Sequence, residues 1–362
     1  MTGFVPPEYP FDKLAPLEAI CAKHDGGMVD LSVGTPTDPP PQFVLDALAS
    51  SGAERGYPPS IGSAELRDAA SGWFARRLGV DVPSSRIRAC IGTKELVAGV
   101  PHYLRLRTPE RDTVLYPEVS YPTYEMGAIL AGLRAVPYQR LDEIAESDAE
   151  RALCVWVNSP NNPTGALHDL AAAADWGRQR GVPVLSDECY AEFSYAEPAG
   201  TILNSGTSGV LALHSLSKRD NFAGARIGFY AGDAELVHYL REVRKHAGQM
   251  PPGPVQNAAT VALADDEHVE AQRARYWRRM QRLCQVLAEV GISATMPDGA
   301  FYLWFAAPDG DAWAATRRLA EQTGLIASPG EFYGSASTGY LRLAAVAPDD
   351  RIELAAHRVG LG

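Results

Sequence analysis

The stretch Val210-Leu-Ala-Leu-His-Ser-Leu-Ser-Lys218 ends an apolar run at a turn that carries a lysine. The length and composition of the run predict a short buried strand. Burial lowers the pKa of a lysine, and the neutral amine is a nucleophile toward a carbonyl. Ser215, Ser217 and Arg226 are close enough in sequence to clamp a phosphate. Together these features indicate a Schiff base between Lys218 and pyridoxal phosphate, and a solvated basic loop is the alternative.

Composition excludes several classes of protein. The 362 residues carry a formal net charge of −11, which gives no support to nucleic-acid or membrane-surface binding. The five cysteines are odd in number and form no C-x-x-C pair, which favours reduced thiols over disulfides or a zinc site. The N-terminus lacks the pattern of a secretion signal, and no run reaches membrane-spanning length. We therefore expect a cytoplasmic protein with no metal.

Strand and helix patterns alternate from residue 42 onward. The predicted strands cover residues 87–91, 114–116, 135–138, 153–157, 182–185 and 210–213, and the predicted helices cover 66–78, 95–107, 123–133 and 167–179. This alternation predicts a mostly parallel sheet with helices on both faces.

The C-terminal part of the chain has a different pattern. Residues 255–290 are helix-compatible with a break near Asp265-Asp266, and strands at 301–305 and 340–344 then mix with helices at 312–322 and from 349. We interpret the arginines of this region as a solvated helix face: Arg273, Arg275, Arg278, Arg279 and Arg282. The sequence thus predicts a large α/β domain over 42–265 and a smaller α+β domain, with an N-terminal arm, from 1–41 and 266–362.

Polar residues follow several of the predicted strands, where ligands of open α/β sheets bind. Thr93 and Lys94 open a helix whose N–H groups suit a phosphate, Tyr121 offers a ring for stacking, and Asn162 offers an amide. Asp187 ends a buried strand and needs a positive partner, which the protonated ring nitrogen of pyridoxal phosphate supplies. Singly, these residues also fit a plain cap, a core aromatic, a loop or a structural ion pair. Their order along the chain favours one cofactor site.

The motifs Asn162-Pro-Thr-Gly165, Asp187-Glu-Cys-Tyr190 and Ser215-Leu-Ser-Lys218, followed by Arg226, resemble those of the fold-type I, class I and II aminotransferases. The similarity covers nearly the whole chain. It implies pyridoxal phosphate as the cofactor and the fold of that family, a three-layer αβα large domain with a mostly parallel sheet and a smaller α+β domain. It also implies that Lys218 binds the cofactor and moves a proton between Cα and C4′, and that Asp187 pairs with the pyridine nitrogen.

The same resemblance implies roles for the other site residues. Asn162 and Tyr190 would contact the phenolic oxygen, Tyr121 would stack on the ring, and Thr93, Lys94 (through its backbone), Ser215, Ser217 and Arg226 would surround the phosphate. Tyr57 matches a tyrosine that reaches the phosphate of the neighbouring subunit, which implies a homodimer with shared sites. Arg342 matches the arginine that grips the substrate α-carboxylate, with Gly34 and Asn162 also at the substrate.

Within that family, the chain most resembles bacterial N-succinyldiaminopimelate aminotransferases. The resemblance rests on segments such as Val29-Asp-Leu-Ser-Val-Gly-Thr-Pro36 and Ser186-Asp-Glu-Cys-Tyr190. It implies amino transfer between N-succinyl-LL-2,6-diaminopimelate and 2-oxoglutarate, with glutamate as the biosynthetic donor. The chain departs from the usual pattern in the polar link after Lys218 and in Ala225, where a larger residue is expected. A distal substrate carboxylate should need a second cation or a cluster of hydrogen-bond donors, for which the candidates are Arg219, Lys245 and Lys94.

The sequence leaves some alternative functions open and disfavours others. Another class I or II aminotransferase, or a pyridoxal β-lyase, would use the same cofactor residues, because substrate specificity lies in the pocket. An aminotransferase-like effector-binding module of a transcription regulator would carry an N-terminal DNA-binding module, whereas here the catalytic pattern starts within the first tens of residues. A nicotinamide dehydrogenase is also disfavoured, because no G-x-G-x-x-G motif follows an early predicted strand in this sequence.

Overall fold

The structure is a computed structural model that describes residues 4–50, 52 and 55–362. The described residues form two compact units. One contains the described residues of Thr35–Arg275 with Asp298–Ala300, and we call it the sheet unit. The other contains those of Met1–Gly34, Tyr276–Pro297 and Phe301–Gly362, and we call it the terminal unit. The division predicted from the sequence, at residues 41 and 265, stays a prediction.

The β-strands of the described chain are, in order, β1 (Val29–Asp30), β2 (Ile87–Cys90), β3 (Thr113–Pro117), β4 (Arg134–Tyr138), β5 (Ala152–Asn158), β6 (Val184–Asp187), β7 (Val210–Ser215), β8 (Gly228–Gly232), β9 (Tyr302–Ala306), β10 (Leu325–Ile326), β11 (Ser328–Pro329) and β12 (Tyr340–Ala344).

The α-helices of the described chain are α1 (Ala15–Cys21), α2 (Gln42–Ala49), α3 (Ala64–Leu78), α4 (Thr93–Arg107), α5 (Thr123–Leu130), α6 (Glu146–Arg151), α7 (Leu170–Arg180), α8 (Leu216–Arg219), α9 (Ala234–His246), α10 (Gly253–Ala264), α11 (Glu267–Glu289), α12 (Ala312–Thr323) and α13 (Asp349–Arg358).

The sheet unit is built on seven strands in the order β2-β8-β7-β6-β5-β3-β4. All neighbouring pairs are parallel except those that β8 makes with β2 and β7. The mostly parallel α/β sheet predicted from the sequence is confirmed. Strand β8 itself was missed, because its sequence Gly-Phe-Tyr-Ala-Gly is short and bounded by glycines at both ends.

Both faces of the central strands β5, β6 and β7 are buried, which explains why these strands are apolar up to their carboxyl ends. Alternate residues of β5 enter opposite cores: Val155 and Val157 on one face, Cys154 and Trp156 on the other. Side chains of a strand alternate between faces, so a strand covered on both sides must be apolar at every position. The result is a helix–sheet–helix sandwich.

Helix boundaries follow local signals. Ser63 caps α3 and Asp169 caps α7, each accepting from a backbone N–H of the first turn. The predicted break at Asp265-Asp266 is confirmed, since α10 ends at Ala264 and α11 begins at Glu267. Pro101 lies inside α4, which continues through it from Thr93 to Arg107.

The terminal unit contains a three-stranded antiparallel sheet, β11-β12-β9, and the parallel pair β1-β10. Within this unit the prediction of a solvated arginine face is wrong for Arg279, which is 4% exposed and pairs through Nε with Asp349. The acidic partner lies 70 residues downstream, so a local charge pattern could not reveal it. In the described part of the chain, we find no helix both long and apolar enough to cross a membrane.

Gly177 tests how closely α7 packs against the strand β6. A Cβ at this position would lie 2.3 Å from Val184 Cγ2 and 2.7 Å from the Val182 carbonyl oxygen. Gly177→Ala is therefore expected to lower the free energy of unfolding by about 1–3 kcal/mol through overpacking, measured by denaturant titration.

Gly72 in α3 is the matched control for this substitution. Its Cβ would meet only the flexible end of Arg76, at 3.2 Å. Gly72→Ala should raise stability, by up to about 1 kcal/mol from helix propensity. Equal effects of the two substitutions would contradict the packing described for Gly177.

Candidate active site

The turn that carries Lys218 follows β7 directly. Ser215 ends the strand and caps α8, its Oγ accepting from the backbone N–H of Ser217 at 3.2 Å. Both serines are buried, whereas Lys218 is half-buried. The sequence-predicted lysine and its two hydroxyl neighbours therefore share one tight turn at the end of a buried strand.

Asp187 ends the adjacent strand β6 and is 6% exposed. Its Oδ2 accepts from Tyr124 Oη at 2.8 Å, and its Oδ1 accepts from the backbone N–H of Cys189 at 3.2 Å. Burial raises the pKa of Asp187, and the hydrogen bonds from Cys189 and Tyr124 oppose that rise only in part. A carboxyl in this position favours a cationic partner.

Sequence reasoning missed Tyr124, which organises two of the predicted residues. Its ring stacks on Trp156 at a centroid distance of 5.0 Å and meets the Tyr121 ring edge-on at 5.9 Å. Because it also donates to Asp187, Tyr124 fixes the predicted stacking ring and the predicted acid relative to each other. The short spacing Tyr121-Pro-Thr-Tyr124 was the available signal: Tyr121 directly precedes the N-cap of α5, and Tyr124 lies in the first turn of that helix.

Asn158 is a second residue that sequence reasoning missed. Its Nδ2 donates to the Asp187 carbonyl oxygen at 2.8 Å, and its Oδ1 accepts from the backbone N–H of Asn162 at 2.8 Å. It is 1% exposed, so both bonds are shielded from water. Asn158 thus ties the loop that carries Asn162 to the end of β6.

An anion cradle lies at the start of α4. Gly92 adopts φ 73° immediately before the helix, whose first N–H groups have no partner within the helix. A Cβ on Gly92 would lie 2.3 Å from Arg226 Nη2, so only glycine lets this guanidinium approach the helix N-terminus. Arg226 is itself held in the left-handed region at φ 55°. The N–H groups of a helix N-terminus and a guanidinium beside them suit a phosphate.

Lys94 and Thr93 connect the cradle to the other groups. Lys94 Nζ lies 5.9 Å from the centroid of the Tyr121 ring. Surrounding protein, together with the charge of Arg226, lowers the pKa of Lys94, although its side chain remains exposed at the surface. Thr93 Oγ1 lies 3.2 Å from Cys189 Sγ, two residues after Asp187.

Several of the predicted residues of the sheet unit are therefore connected through linked contacts. Arg226 lies against Gly92, whose neighbour Thr93 contacts Cys189. The backbone N–H of Cys189 donates to Asp187, which also accepts from Tyr124. The ring of Tyr124 in turn contacts the ring of Tyr121. Tyr190 is buried next to Cys189. A buried carboxylate and an anion cradle joined in this way fit the ring nitrogen and the phosphate of pyridoxal phosphate. No group of His, Cys, Asp and Glu side chains in the described residues is arranged to hold a metal.

Arg219 does not serve as the second cation for a substrate carboxylate, as the sequence suggested it could. It is 4% exposed, and its guanidinium donates to Glu192 Oε1, Asp266 Oδ1 and the Ala262 carbonyl oxygen at 2.9–3.2 Å. These partners follow Arg219 by up to 47 residues or precede it by 27, so the sequence around Lys218 gave no sign of them. Lys245 is exposed in the last turn of α9.

In the terminal unit, Arg342 lies between two tyrosine rings. Its guanidinium carbon is 4.3 Å from the Tyr302 ring centroid and 4.8 Å from that of Tyr333, and Arg342 Nη2 donates to the Ser32 carbonyl oxygen. A Cβ on Gly34 would lie 2.3 Å from Tyr302 Oη. Gly34 and Arg342, predicted together at the substrate carboxylate, thus both touch the same tyrosine.

Tyr57 is 95% exposed in the single chain. A large aromatic side chain this exposed is compatible with insertion into a second subunit. The homodimer with shared sites stays a prediction.

Comparison with known proteins gives concordant results. The family model described as aminotransferase class I and II matches residues 26–359. The 4-dedimethylamino-4-oxo-anhydrotetracycline transaminase OxyQ of Streptomyces rimosus is 41% identical over 98% of this chain and 99% of its own length. An LL-diaminopimelate aminotransferase of Aquifex aeolicus is 33% identical over 92% of this chain and 90% of its own. The solved structure of a probable N-succinyldiaminopimelate aminotransferase from Thermus thermophilus superposes with a TM-score of 0.85 at 30% identity, covering 96% of this chain and 98% of that one.

Asp187→Asn should preserve or raise the stability of the apoprotein and weaken the binding of pyridoxal phosphate. Folding raises the pKa of Asp187, so apoprotein stability should fall as pH rises from the unfolded-state pKa through the folded-state pKa, and the amide variant should lack that fall. Because Tyr124 can reverse its hydrogen bond, the amide keeps both contacts. At pH 8 we expect an apoprotein melting temperature equal to or above that of the natural protein, together with a dissociation constant for pyridoxal phosphate about 10–100-fold higher, the usual worth of a charged hydrogen bond. Loss of apoprotein stability without weaker cofactor binding would contradict the role given to Asp187.

Proposed function

The chain belongs to the aminotransferase class I and II family, and on that premise we propose that it transfers an amino group between glutamate and the carbonyl precursor of N-succinyl-LL-2,6-diaminopimelate. At the coarser level it is an aminotransferase that depends on pyridoxal phosphate and acts on amino acid and 2-oxo acid substrates. The observation that carries the finer proposal is the 30% identity, over 96% of the chain, to a probable N-succinyldiaminopimelate aminotransferase.

The sheet unit supplies the cofactor residues in this proposal. Bound pyridoxal phosphate supplies an electron sink for the carbon next to the transferred nitrogen. Asp187, buried and in need of a cation, holds the proton on the pyridine nitrogen. Arg226 and the N-terminus of α4 bind the phosphate. Tyr121, held edge-on by Tyr124, offers its face to the ring.

Lys218 acts as the acid and base of the reaction. Its amine takes the proton from the substrate Cα and returns it at C4′, and in the opposite direction it reverses these steps. Arg342 orients the substrate through its α-carboxylate, because a guanidinium binds a carboxylate through two parallel hydrogen bonds. The rings of Tyr302 and Tyr333 on either side of Arg342 restrict the rotation of its guanidinium group.

A second candidate substrate is a cyclic ketone of the kind that OxyQ aminates. That relative is 41% identical to the chain, against 33% for the Aquifex LL-diaminopimelate aminotransferase. The burial of Arg219 also supports this alternative, because it removes one of three candidate cations for the distal carboxylate of a diaminopimelate derivative.

A substrate panel separates these possibilities. Purified holoenzyme is assayed with 2-oxoglutarate and either N-succinyl-LL-2,6-diaminopimelate or LL-2,6-diaminopimelate, and with glutamate and 4-dedimethylamino-4-oxo-anhydrotetracycline. We expect kcat/KM for the succinylated substrate to exceed the others by about 100-fold or more, since a site built for a polar group strongly rejects analogues that lack it. A preference for the tetracycline ketone would overturn the diaminopimelate assignment and leave the aminotransferase intact.

Lys218→Ala is the control for the same panel. It should abolish turnover of every substrate, because it removes the group that moves the proton. Turnover of any of them by this variant at more than about a hundredth of the natural rate would contradict the role of Lys218, since acid–base groups typically contribute about 100–10,000-fold.

A further inference from the structure

The residue after Lys218 is the centre of a buried ion-pair cluster. Arg219 donates from Nε to Glu192 Oε1 at 3.1 Å, from Nη1 to the Ala262 carbonyl oxygen at 2.9 Å and to Asp220 Oδ1, and from Nη2 to the Asp265 carbonyl oxygen at 2.8 Å and Asp266 Oδ1 at 3.2 Å. Every nitrogen of the guanidinium is used. We call this arrangement the Arg219 cluster.

The acids of the cluster are held by further groups of the sheet unit. Glu192 also accepts from Trp73 Nε1 at 2.6 Å and from Arg77 Nε at 2.8 Å. Asp220 Oδ1 lies 2.9 Å from His268 Nε2, while His268 Nδ1 contacts Asp265. The cluster therefore joins the turn after β7 to α3 and to the break between α10 and α11.

The acidic groups of the cluster stabilise the positive charges of Arg219 and His268. Burial by itself lowers the pKa of Arg219, but the charges of Asp220 and Glu192 more than offset this and raise it, so the guanidinium stays protonated. His268 behaves in the same way, because Asp220 and Asp265 raise its pKa against the effect of burial. A buried charge is tolerated only when it is paired and hydrogen-bonded, and here each pair depends on the next.

The turn that Arg219 anchors has little structure of its own. Helix α8 has four residues, Leu216–Arg219, too few to be stable without outside contacts. The chain then passes through Asn221 at φ 52° and Arg226 at φ 55°, both in the left-handed region that non-glycine residues rarely occupy. Such conformations persist where surrounding contacts fix them. The Arg219 cluster supplies such contacts directly after Lys218.

We propose that Arg219 is a positioning residue: by locking the turn between β7 and the phosphate arginine, it holds the backbone of Lys218 at the distance from which its amine reaches the cofactor aldehyde. Lys218 and Arg219 are adjacent on one helical turn, and adjacent helical residues project in different directions. Arg219 can thus fix the turn from the side of α10 and α11 without contacting the cofactor. The proposal rests on the role proposed for Lys218.

The test compares two ligands of the apoprotein. Pyridoxal phosphate binds through its ring, its phosphate and the condensation of its aldehyde with Lys218, which releases water. 4′-Deoxypyridoxine phosphate has the ring and the phosphate but no aldehyde. In Arg219→Met, which keeps the length of the side chain and removes the charge, the dissociation constant for pyridoxal phosphate should rise about ten-fold or more, while that for the deoxy analogue should change less than about three-fold.

Two other variants calibrate this test. Arg219→Lys keeps the charge without the planar fork and should give an intermediate ratio of the two constants. Arg279→Met removes a buried, ion-paired arginine of the terminal unit and serves as the matched control for lost stability. It should leave both constants unchanged. If Arg219→Met does not fold, Asp266→Asn removes one negative charge of the cluster and should shift the ratio in the same direction by a smaller factor.

The outcomes distinguish this proposal from the assignment of the lysine. Lys218→Ala should lose the whole advantage of pyridoxal phosphate over the deoxy analogue, and if it does not, the role of Lys218 fails. If Lys218→Ala behaves as expected but Arg219→Met weakens both ligands equally, or neither, the positioning role of Arg219 is refuted and Lys218 is unaffected.

Discussion

The site depends on one constraint, the burial of the Asp187 carboxyl at the end of a parallel strand. Burial disfavours its charge, two hydrogen bonds hold its oxygens, and a cation is the partner that would stabilise it. The neighbouring strands β5 and β7 run parallel to β6 and end at the same edge. They carry the loop of Asn162 and the turn of Lys218, so the sheet topology alone assembles acid, amide and lysine.

Much of this arrangement could be predicted because its signals are local. The apolar runs before Asn158, Asp187 and Ser215 were recognisable as buried strands, and the polar residues that follow them mark the ligand-binding edge. Tyr124 and Asn158 escaped prediction because each holds a site residue in place, and a hydrogen bond to Asp187 or Asn162 is visible only once the strands are adjacent.

Buried arginines show the limit of reading charge from the sequence. Arg219 and Arg279 both looked like solvated or substrate-facing cations, and both are 4% exposed. Apart from Asp220, which directly follows Arg219, their acidic partners come from other elements of the fold, at residues 192 and 266 for the first and 349 for the second. Periodicity predicts which face of a helix is apolar, but it does not predict which distant carboxylate will neutralise an arginine.

The pairing of β1 with β10 has a consequence for synthesis of the chain. Val29 and Asp30 lie beside Leu325 and Ile326 in parallel register, and Arg342 reaches back to the carbonyl oxygen of Ser32. At ordinary translation rates, about 15–60 s pass between emergence of these two segments from the ribosome. All seven strands of the large sheet emerge well before that interval ends. A nascent chain would therefore complete the strands of the large sheet first and receive Arg342 last, and Val29–Asp30 would remain without its β10 partner in the meantime.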